Sequence, residues 1–336
     1  MRAVVTTGHG GLAKLEYRKD YPEPRPSENE VIVRVAATAI NYHDVFTRRG
    51  MPGIKVPFPL VVGSDIAGEI ASVGEQVEDW IVGDRVLVNP MCLEGTHKGL
   101  IGEAFDGGRA EFVRVHQSQL ILVPDKVDLH SAAALPLAYA TAHRMMITRG
   151  QIVAGEKVLV LGASGGVGVA CVQIAKMLGA EVLACASSEA KLARLSEIGA
   201  DHQIDYTKKD LPKAVSEIVG KPSLWRDGGV DVAINFTGGE TFIDTQKCVK
   251  HGGRILVCGA TAGYDYRIDA RFLWTFEHQI IGSNGWTVDD LKQLLTDVES
   301  GDLSPVVDRT LALEEAAEAE RLLEEREVLG KVLLVP

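Results

Sequence analysis

A chain of 336 residues that is 46% hydrophobic and 24% charged is long enough for two hydrophobic cores and has the composition of a globular protein. Its formal net charge of −11 argues against nucleic acid or an anionic membrane as partner, because both need clustered Lys and Arg. Five scattered cysteines, Cys92, Cys171, Cys185, Cys248 and Cys258, outline no disulfide framework, and the N-terminus lacks the apolar core of a signal peptide, so a reducing cytoplasm is expected.

Residues up to about 120 are rich in Val, Gly and Pro, with short β-like runs at Val31–Val35, Leu60–Val62 and Arg85–Val88 broken by turn residues. This predicts an irregular, mostly β domain with no βαβ winding. Ala-rich, helix-compatible sequence follows from Ala132 through Pro136 to Thr141. An alternation then begins: strand Lys157–Leu161, a glycine turn, a helix from Val169 that Gly179 stops, strand Glu181–Ala186, helix Ala190–Ile198 and strand His202–Tyr206. It continues through a helix near Leu211–Val219, strand Asp231–Phe236, a helix, strand Arg254–Gly259, a helix near Phe272 and strand His278–Ser283. Six strands with helical crossovers predict a doubly wound parallel sheet. Two helices, Asp289–Glu299 and Glu314–Arg326, and a last strand, Lys331–Val335, form a tail expected to pack back on the N-terminal domain. The expected domains are therefore 1–125 with 286–336, and 126–285, with the active site in the cleft between them.

The stretch KVLVLGASGGVG, Lys157 to Gly168, carries the most chemistry. Gly162, Gly165 and Gly168 are spaced G-x-x-G-x-x-G, with Gly166 extra, after the first strand of the sheet and at the opening of a helix. The backbone N–H groups of Ser164, Gly165, Gly166, Val167 and Gly168, with the positive end of the helix dipole, suit a dinucleotide pyrophosphate. Val158–Ala175 is uncharged, but its glycines and strand–turn–helix pattern argue against a membrane span. In NAD sites an acid ends the second strand. Here Glu181–Ala186 runs into Ser187 and Ser188, followed by Lys191, which offer hydrogen bonds and positive charge to a 2′-phosphate. NADPH is therefore expected in preference to NADH. Glu189 lies past the strand end and reads as a first-turn acid of the next helix.

Taken together, the N-terminal β domain, GASGGVG, Gly83-Asp-Arg-Val, Leu135-Pro through Thr141-Ala and the terminal Gly330-Lys-Val-Leu-Leu resemble the medium-chain dehydrogenase/reductases over essentially the whole chain. Within them the chain looks most like the zinc-free quinone oxidoreductase and enoyl reductase branch. The resemblance implies an α/β protein with a Rossmann-type six-stranded sheet and a GroES-like, mostly β catalytic domain. Where the zinc alcohol dehydrogenases have G-x-C-x-x-D, this chain has Ala39-Ile-Asn41-Tyr-His-Asp44, and Gly63-Ser64-Asp65 stands where they have Gly-His-Glu. The third ligand position falls on Leu137. Asn, Ser and Leu cannot supply the thiolates and imidazole of a catalytic zinc site, so no zinc is expected. The structural zinc lobe needs four cysteines, and Asn89–Gly107 offers only Cys92; Cys92, Glu94 and His97 read as loop residues.

By resemblance Asn41 lies beside the nicotinamide and the substrate, and Thr141 near the carboxamide. Phe236-Thr237-Gly238, Cys258-Gly259-Ala260 and Ser283 would line the nicotinamide end, Tyr206 the adenosine phosphate, and Lys331 joins the cofactor set. Tyr42 is the candidate proton donor or enolate partner, with Ser64, Asp65 and His43 as alternates; His43 and His143 otherwise read as structural, and Asp44 as fixing its own turn. Without a Lewis acid, hydride addition to a polarised C=C or a quinone asks less of the protein than alcohol oxidation. The expected activity is an NADPH-dependent, zinc-independent reductase of a quinone or unsaturated carbonyl compound. An alcohol or aldehyde dehydrogenase and a non-catalytic NADPH-binding protein are the alternatives. The resemblance also implies a homodimer or homotetramer paired along the apolar edge strand His278–Ser283.

Overall fold

A computed structural model describes residues 1–95 and 97–336. The chain forms two compact units, Tyr139–Asp290 and the combination of Met1–Ala138 with Leu291–Pro336.

In the Tyr139–Asp290 unit the six predicted strands form one parallel sheet. In sequence they are Lys157–Val160, Glu181–Ala186, His202–Asp205, Val230–Ile234, Val249–Val257 and Gln279–Gly282, and in space they run third, second, first, fourth, fifth, sixth. The order reverses on either side of Lys157–Val160, which pairs with both Glu181–Ala186 and Val230–Ile234. Such a reversal opens a crevice at the carboxyl ends of the strands, where doubly wound sheets bind their ligands. Val158, Leu159 and Val160 are wholly buried, as an apolar run at the centre of a parallel sheet requires. Each such side chain contributes roughly 1.5–3 kcal/mol through burial. The fourth strand stops at Ile234, short of the expected Phe236, because Asn235 turns the chain, and the fifth begins at Val249, ahead of the expected Arg254.

In the other unit, strand Glu30–Ala39 is the organising element. It pairs antiparallel with Asp65–Val73, with Phe112–His116 and with the C-terminal strand Lys331–Val335. The pairs Leu333 with Ala39 and Leu334 with Thr38 bring the tail into this sheet. Val31, Val33, Ile66, Ile70, Val86, Val88, Val113 and Val115 fill one core beneath it. Strand Val307–Ala312, parallel to Lys331–Val335, was not expected; its residues are half-buried or exposed at a sheet end, so no apolar alternation marks it. Tyr42–Arg49, where the sequence suggests no helix and only a turn fixed by Asp44, is a helix with Asn41 at its N-cap. Among the described residues no helix is long and apolar enough to cross a membrane.

Candidate active site

The glycine turn sits at the carboxyl end of the central strand, and its glycines do different work. Gly162 has φ +64°, in the left-handed region, and a Cβ there would lie 3.1 Å from the Phe236 ring. Gly168 lets helix Gly166–Met177 lie against the strand end, since a Cβ would lie 2.3 Å from the Gly162 carbonyl oxygen and 2.7 Å from the Ala163 backbone. Gly165 is the N-cap, so the helix starts at Gly166 and not at Val169; the glycines read as a turn are partly its first turn. Ala163 N–H donates to the Cys185 carbonyl at 3.0 Å, which pins the turn to the second strand. First-turn N–H groups have no intrahelical partner, so this turn suits a pyrophosphate.

At the end of the second strand, Ser187 and Ser188 are half-buried. Ser188 is the N-cap of helix Glu189–Glu197, and its hydroxyl accepts from the Lys191 N–H at 3.4 Å. Glu189 falls in the first turn of that helix, and its carboxylate is engaged by the Lys208 ammonium at 2.7 Å. Lys208 was not singled out in the sequence, because it lies beyond the third strand and only the sheet brings it beside Glu189. Tyr206 follows the third strand and is exposed, with its N–H on the Ala186 carbonyl at 3.4 Å.

The turns after the fourth and fifth strands are built around a residue the sequence reading missed. Asn235 is fully buried; its Oδ1 accepts from Thr237 and Gly238 N–H, both at 3.0 Å, and its Nδ2 donates to Thr245 Oγ1 at 2.8 Å. Phe236 and Thr237 are thereby fixed, and their carbonyls accept from Thr261 and Ala262 N–H at 3.1 and 2.7 Å. Cys258, Gly259 and Ala260 precede that contact. Cys258 is half-buried, and desolvation pushes its thiol up to about 12, so the thiol form prevails near neutral pH. Ser283 N–H donates to the Val257 carbonyl at 2.8 Å, and its buried hydroxyl has no protein partner among the described residues. A buried hydroxyl of this kind at a strand end fits a cofactor amide. Thr141 is buried on the short helix Ala140–His143, whose His143 meets Asp290 at 2.7 Å.

In the other unit, Asn41, Asp65 and Lys331 converge. The Lys331 ammonium, 2% exposed, donates to the Ile40 carbonyl at 3.1 Å, to Asn41 Oδ1 and to Asp65 Oδ2 at 3.0 Å. Asp65 is fully buried, and its other oxygen accepts from the Leu137 N–H at 2.8 Å. Burial raises the Asp65 carboxyl above its ordinary value, against the opposing pull of Lys331. The Asn41 Nδ2 and Ser64 Oγ atoms are buried without a protein partner among the described residues.

Asp44 does fix its own turn, since its carboxylate accepts from the Asn41 N–H at 2.9 Å, but it is also the first member of a buried ionic chain. Arg109 reaches Asp44 at 3.0 Å and also binds Glu320; Glu320 binds Arg48 at 2.6 Å, and Arg48 binds Glu324 at 2.5 Å. Arg109, Glu320 and Arg48 are all fully buried. Burial alone would lower the Arg109 guanidinium, but the charges of Glu320 and Asp44 raise it. Nothing in the sequence marked Arg109 or Glu320, whose partners lie far along the chain. Tyr42 packs edge-on to Phe46 with centroids 5.1 Å apart, and His43 Nε2 meets Glu103 Oε2 at 2.6 Å.

Residues 27–125 match the family model described as the alcohol dehydrogenase GroES-like domain, and residues 166–300 that of the zinc-binding dehydrogenases. An acryloyl-coenzyme A reductase of Sulfurisphaera tokodaii is 31% identical, with 100% of both chains covered. A quinone oxidoreductase of Mus musculus is 32% identical over 100% of this chain and 98% of its own. A crystal structure described as an NAD-dependent alcohol dehydrogenase superposes with a TM-score of 0.92 at 38% identity, covering 100% of both chains. With the reversed strand order and glycine turn in one unit and the tail-closed β sheet in the other, these matches establish that the chain belongs to the medium-chain dehydrogenase/reductase superfamily and is an oxidoreductase.

Proposed function

We propose that this oxidoreductase is an NADPH-dependent reductase that delivers a hydride to a quinone, or to a C=C bond conjugated with a carbonyl, without zinc. The observation that carries the reading is the Lys331 ammonium. It takes Asn41 Oδ1, the Ile40 carbonyl and Asp65 Oδ2, so these oxygens already surround a cation, and Ser64 and Leu137 add neither thiolate nor imidazole. This donor set does not fit zinc. Hydride addition to an activated alkene needs orientation and a partner for the enolate oxygen, which hydrogen bonds can supply.

The NADPH preference is supported by Ser187, Ser188, Lys191 and Tyr206, and by Lys208, which engages the nearby acid Glu189. Ser164, Gly165, Gly166, Val167 and Gly168 are proposed to hold the pyrophosphate. Thr141, Phe236, Thr237, Cys258, Gly259, Ala260 and Ser283 are proposed to hold the nicotinamide, and the dinucleotide brings the hydride. Asn41 and Tyr42 act on the substrate, with the Tyr42 hydroxyl donating to the enolate oxygen. Asp65, with both oxygens engaged, holds Lys331 in place, Lys331 in turn engages Asn41 Oδ1, and Ser64 stands beside Asp65 in the chain. We place the enzyme in the cytoplasm as a homodimer or homotetramer.

Anaerobic NADPH oxidation with a panel of quinones, enones and enoyl thioesters tests the reading, and turnover of at least one class is expected. The 38% identity to a solved alcohol dehydrogenase favours one second reading, a C–OH/C=O oxidoreductase. Turnover restricted to alcohols and aldehydes, with stoichiometric activity-linked zinc, would replace the first reading by the second.

A further inference from the structure

His43 is held as a general acid is held. Its Nε2 lies 2.6 Å from Glu103 Oε2, and both side chains are mostly buried, at 26% and 21% exposure. Its Nδ1 has no protein partner among the described residues and is not one of the buried unpartnered atoms. A carboxylate acceptor keeps the proton on Nε2 in either charge state. The neutral ring therefore presents a lone pair at Nδ1, and the cation presents an N–H there.

The carboxylate itself is rigidly carried. Glu103 follows Gly102, whose φ is +79° and whose N–H donates to the Phe105 carbonyl at 2.8 Å. A Cβ at Gly102 would lie 2.7 Å from the Gly63 nitrogen, so this loop lies against the backbone that leads into Ser64 and Asp65. His43 is in the first turn of the helix capped by Asn41, and its own carbonyl is tied by the Thr47 hydroxyl at 3.1 Å. The pair thus joins the Asn41 and Ser64–Asp65 segments at the centre of the proposed substrate site.

We propose that His43 is the proton source of the reduction and that Glu103 is the residue that positions it. This rests on the reductase reading above. As a hydride arrives at the β-carbon, the C=C electron pair moves onto the α-carbon and carbonyl oxygen. The Nδ1–H bond of His43 then breaks, and its proton ends on the α-carbon, or on the reduced oxygen of a quinone. Neutral His43 remains with its Nε2–H on Glu103 and regains a proton from solvent. The charged groups that act on the ring are Glu103 from the loop, in direct contact, and Asp44 from its own helix, through its charge. Burial lowers the His43 imidazolium, but the Glu103 hydrogen bond and the charges of Asp44 and Glu103 outweigh it, and the net direction is upward. The acid form is therefore populated below that raised value and lost as pH rises through it.

The test compares wild type with His43→Gln and Glu103→Gln, measuring kcat and KM from about pH 5 to about pH 9 on a panel substrate, with NADPH affinity from fluorescence titration. His43→Gln is expected to lower kcat by about 10²–10⁴-fold, with NADPH affinity changed less than about twofold, and to remove the fall in kcat at rising pH. Glu103→Gln is expected to move that fall to lower pH while activity at low pH persists, which a loop latch alone would not do. Should His43→Gln fold poorly, the Glu103→Gln displacement decides the matter by itself. A pH-independent loss in Glu103→Gln, or His43→Gln retaining kcat within about threefold of wild type, overturns the proposal while leaving the reductase reading in place. A wild type inert on the whole panel removes the reductase reading, and this inference with it, before any variant is made.

Discussion

Glu320→Gln isolates what the buried ionic chain contributes. The substitution keeps the side-chain shape and removes only the charge, at a carboxylate that is fully buried between Arg48 and Arg109. Two charge-assisted hydrogen bonds, each contributing about 1.5–3 kcal/mol, are weakened together. The carboxylates then left to the two buried guanidiniums are Asp44 for Arg109 and Glu324 for Arg48. Breaking a buried pair by removing one partner costs about 3–5 kcal/mol, and the two figures agree. For a unit of about 150–250 residues each kcal/mol moves Tm by about 2–4 °C, so a fall of roughly 6–20 °C is expected. Urea unfolding followed by far-UV circular dichroism reads the same loss as a lower midpoint at unchanged slope. The double variant Arg109→Met with Glu320→Leu should be less damaging than the sum of its single changes, by about 0.5–3 kcal/mol. A Glu320→Gln protein within about 1 kcal/mol of wild type, or a strictly additive double variant, would refute the reasoning.

Three further outcomes are expected. Gly168→Ala brings a Cβ onto backbone atoms at 2.3 and 2.7 Å that cannot yield, so NADPH affinity should fall by about the 1–3 kcal/mol of overpacking, roughly 5- to 150-fold, while Gly165→Ala, whose Cβ meets nothing nearer than 3.7 Å, should keep the wild-type melting temperature. Lys331→Met leaves Asp65 buried and unpaired, a loss of about 3–5 kcal/mol. The Asp65 value, already raised by burial, then rises further, so the penalty is present above that value and is relieved as pH falls through it. The melting gap to wild type should accordingly narrow in acid and close in the Lys331→Met, Asp65→Asn double variant; a gap independent of pH would show that Asp65 is not the source. Lys191→Ala should raise KM for NADPH much more than for NADH, and equal effects on the two would count against the 2′-phosphate assignment.

The parallel sheet was legible because its signals are local. Val158–Val160 needs only its own apolar side chains to read as a central strand, and the left-handed φ of Gly162 and the close contacts of Gly168 are set within the same few residues. Boundaries were less so: Asn235 ends the fourth strand through hydrogen bonds to Thr237 and Gly238, and a side chain that replaces a ladder bond leaves no periodic trace. The helix Tyr42–Arg49 was hidden for a related reason. Its capping acid Asp44 was visible as a turn-fixing residue, but what holds the helix is Arg48 and Arg109 reaching Glu320.

The sequence by itself determined the doubly wound sheet, the dinucleotide turn, the absence of thiolate and imidazole at Asn41, Ser64 and Leu137, and through these the family. All of that depends on residue type and short-range spacing. Only the tertiary structure decided what occupies the neighbourhood of Asn41. Lys331 reaches it across 290 residues of chain, Glu320 reaches Arg109 across 211, and Glu103 reaches His43 across 60. Such contacts arise where the C-terminal strand joins Glu30–Ala39 and where a loop closes on Gly63, and no local pattern encodes them. A charge taken out of water must find its partner wherever the fold places one. The partners that surround Asn41 and His43 were therefore set by the closing of the sheet.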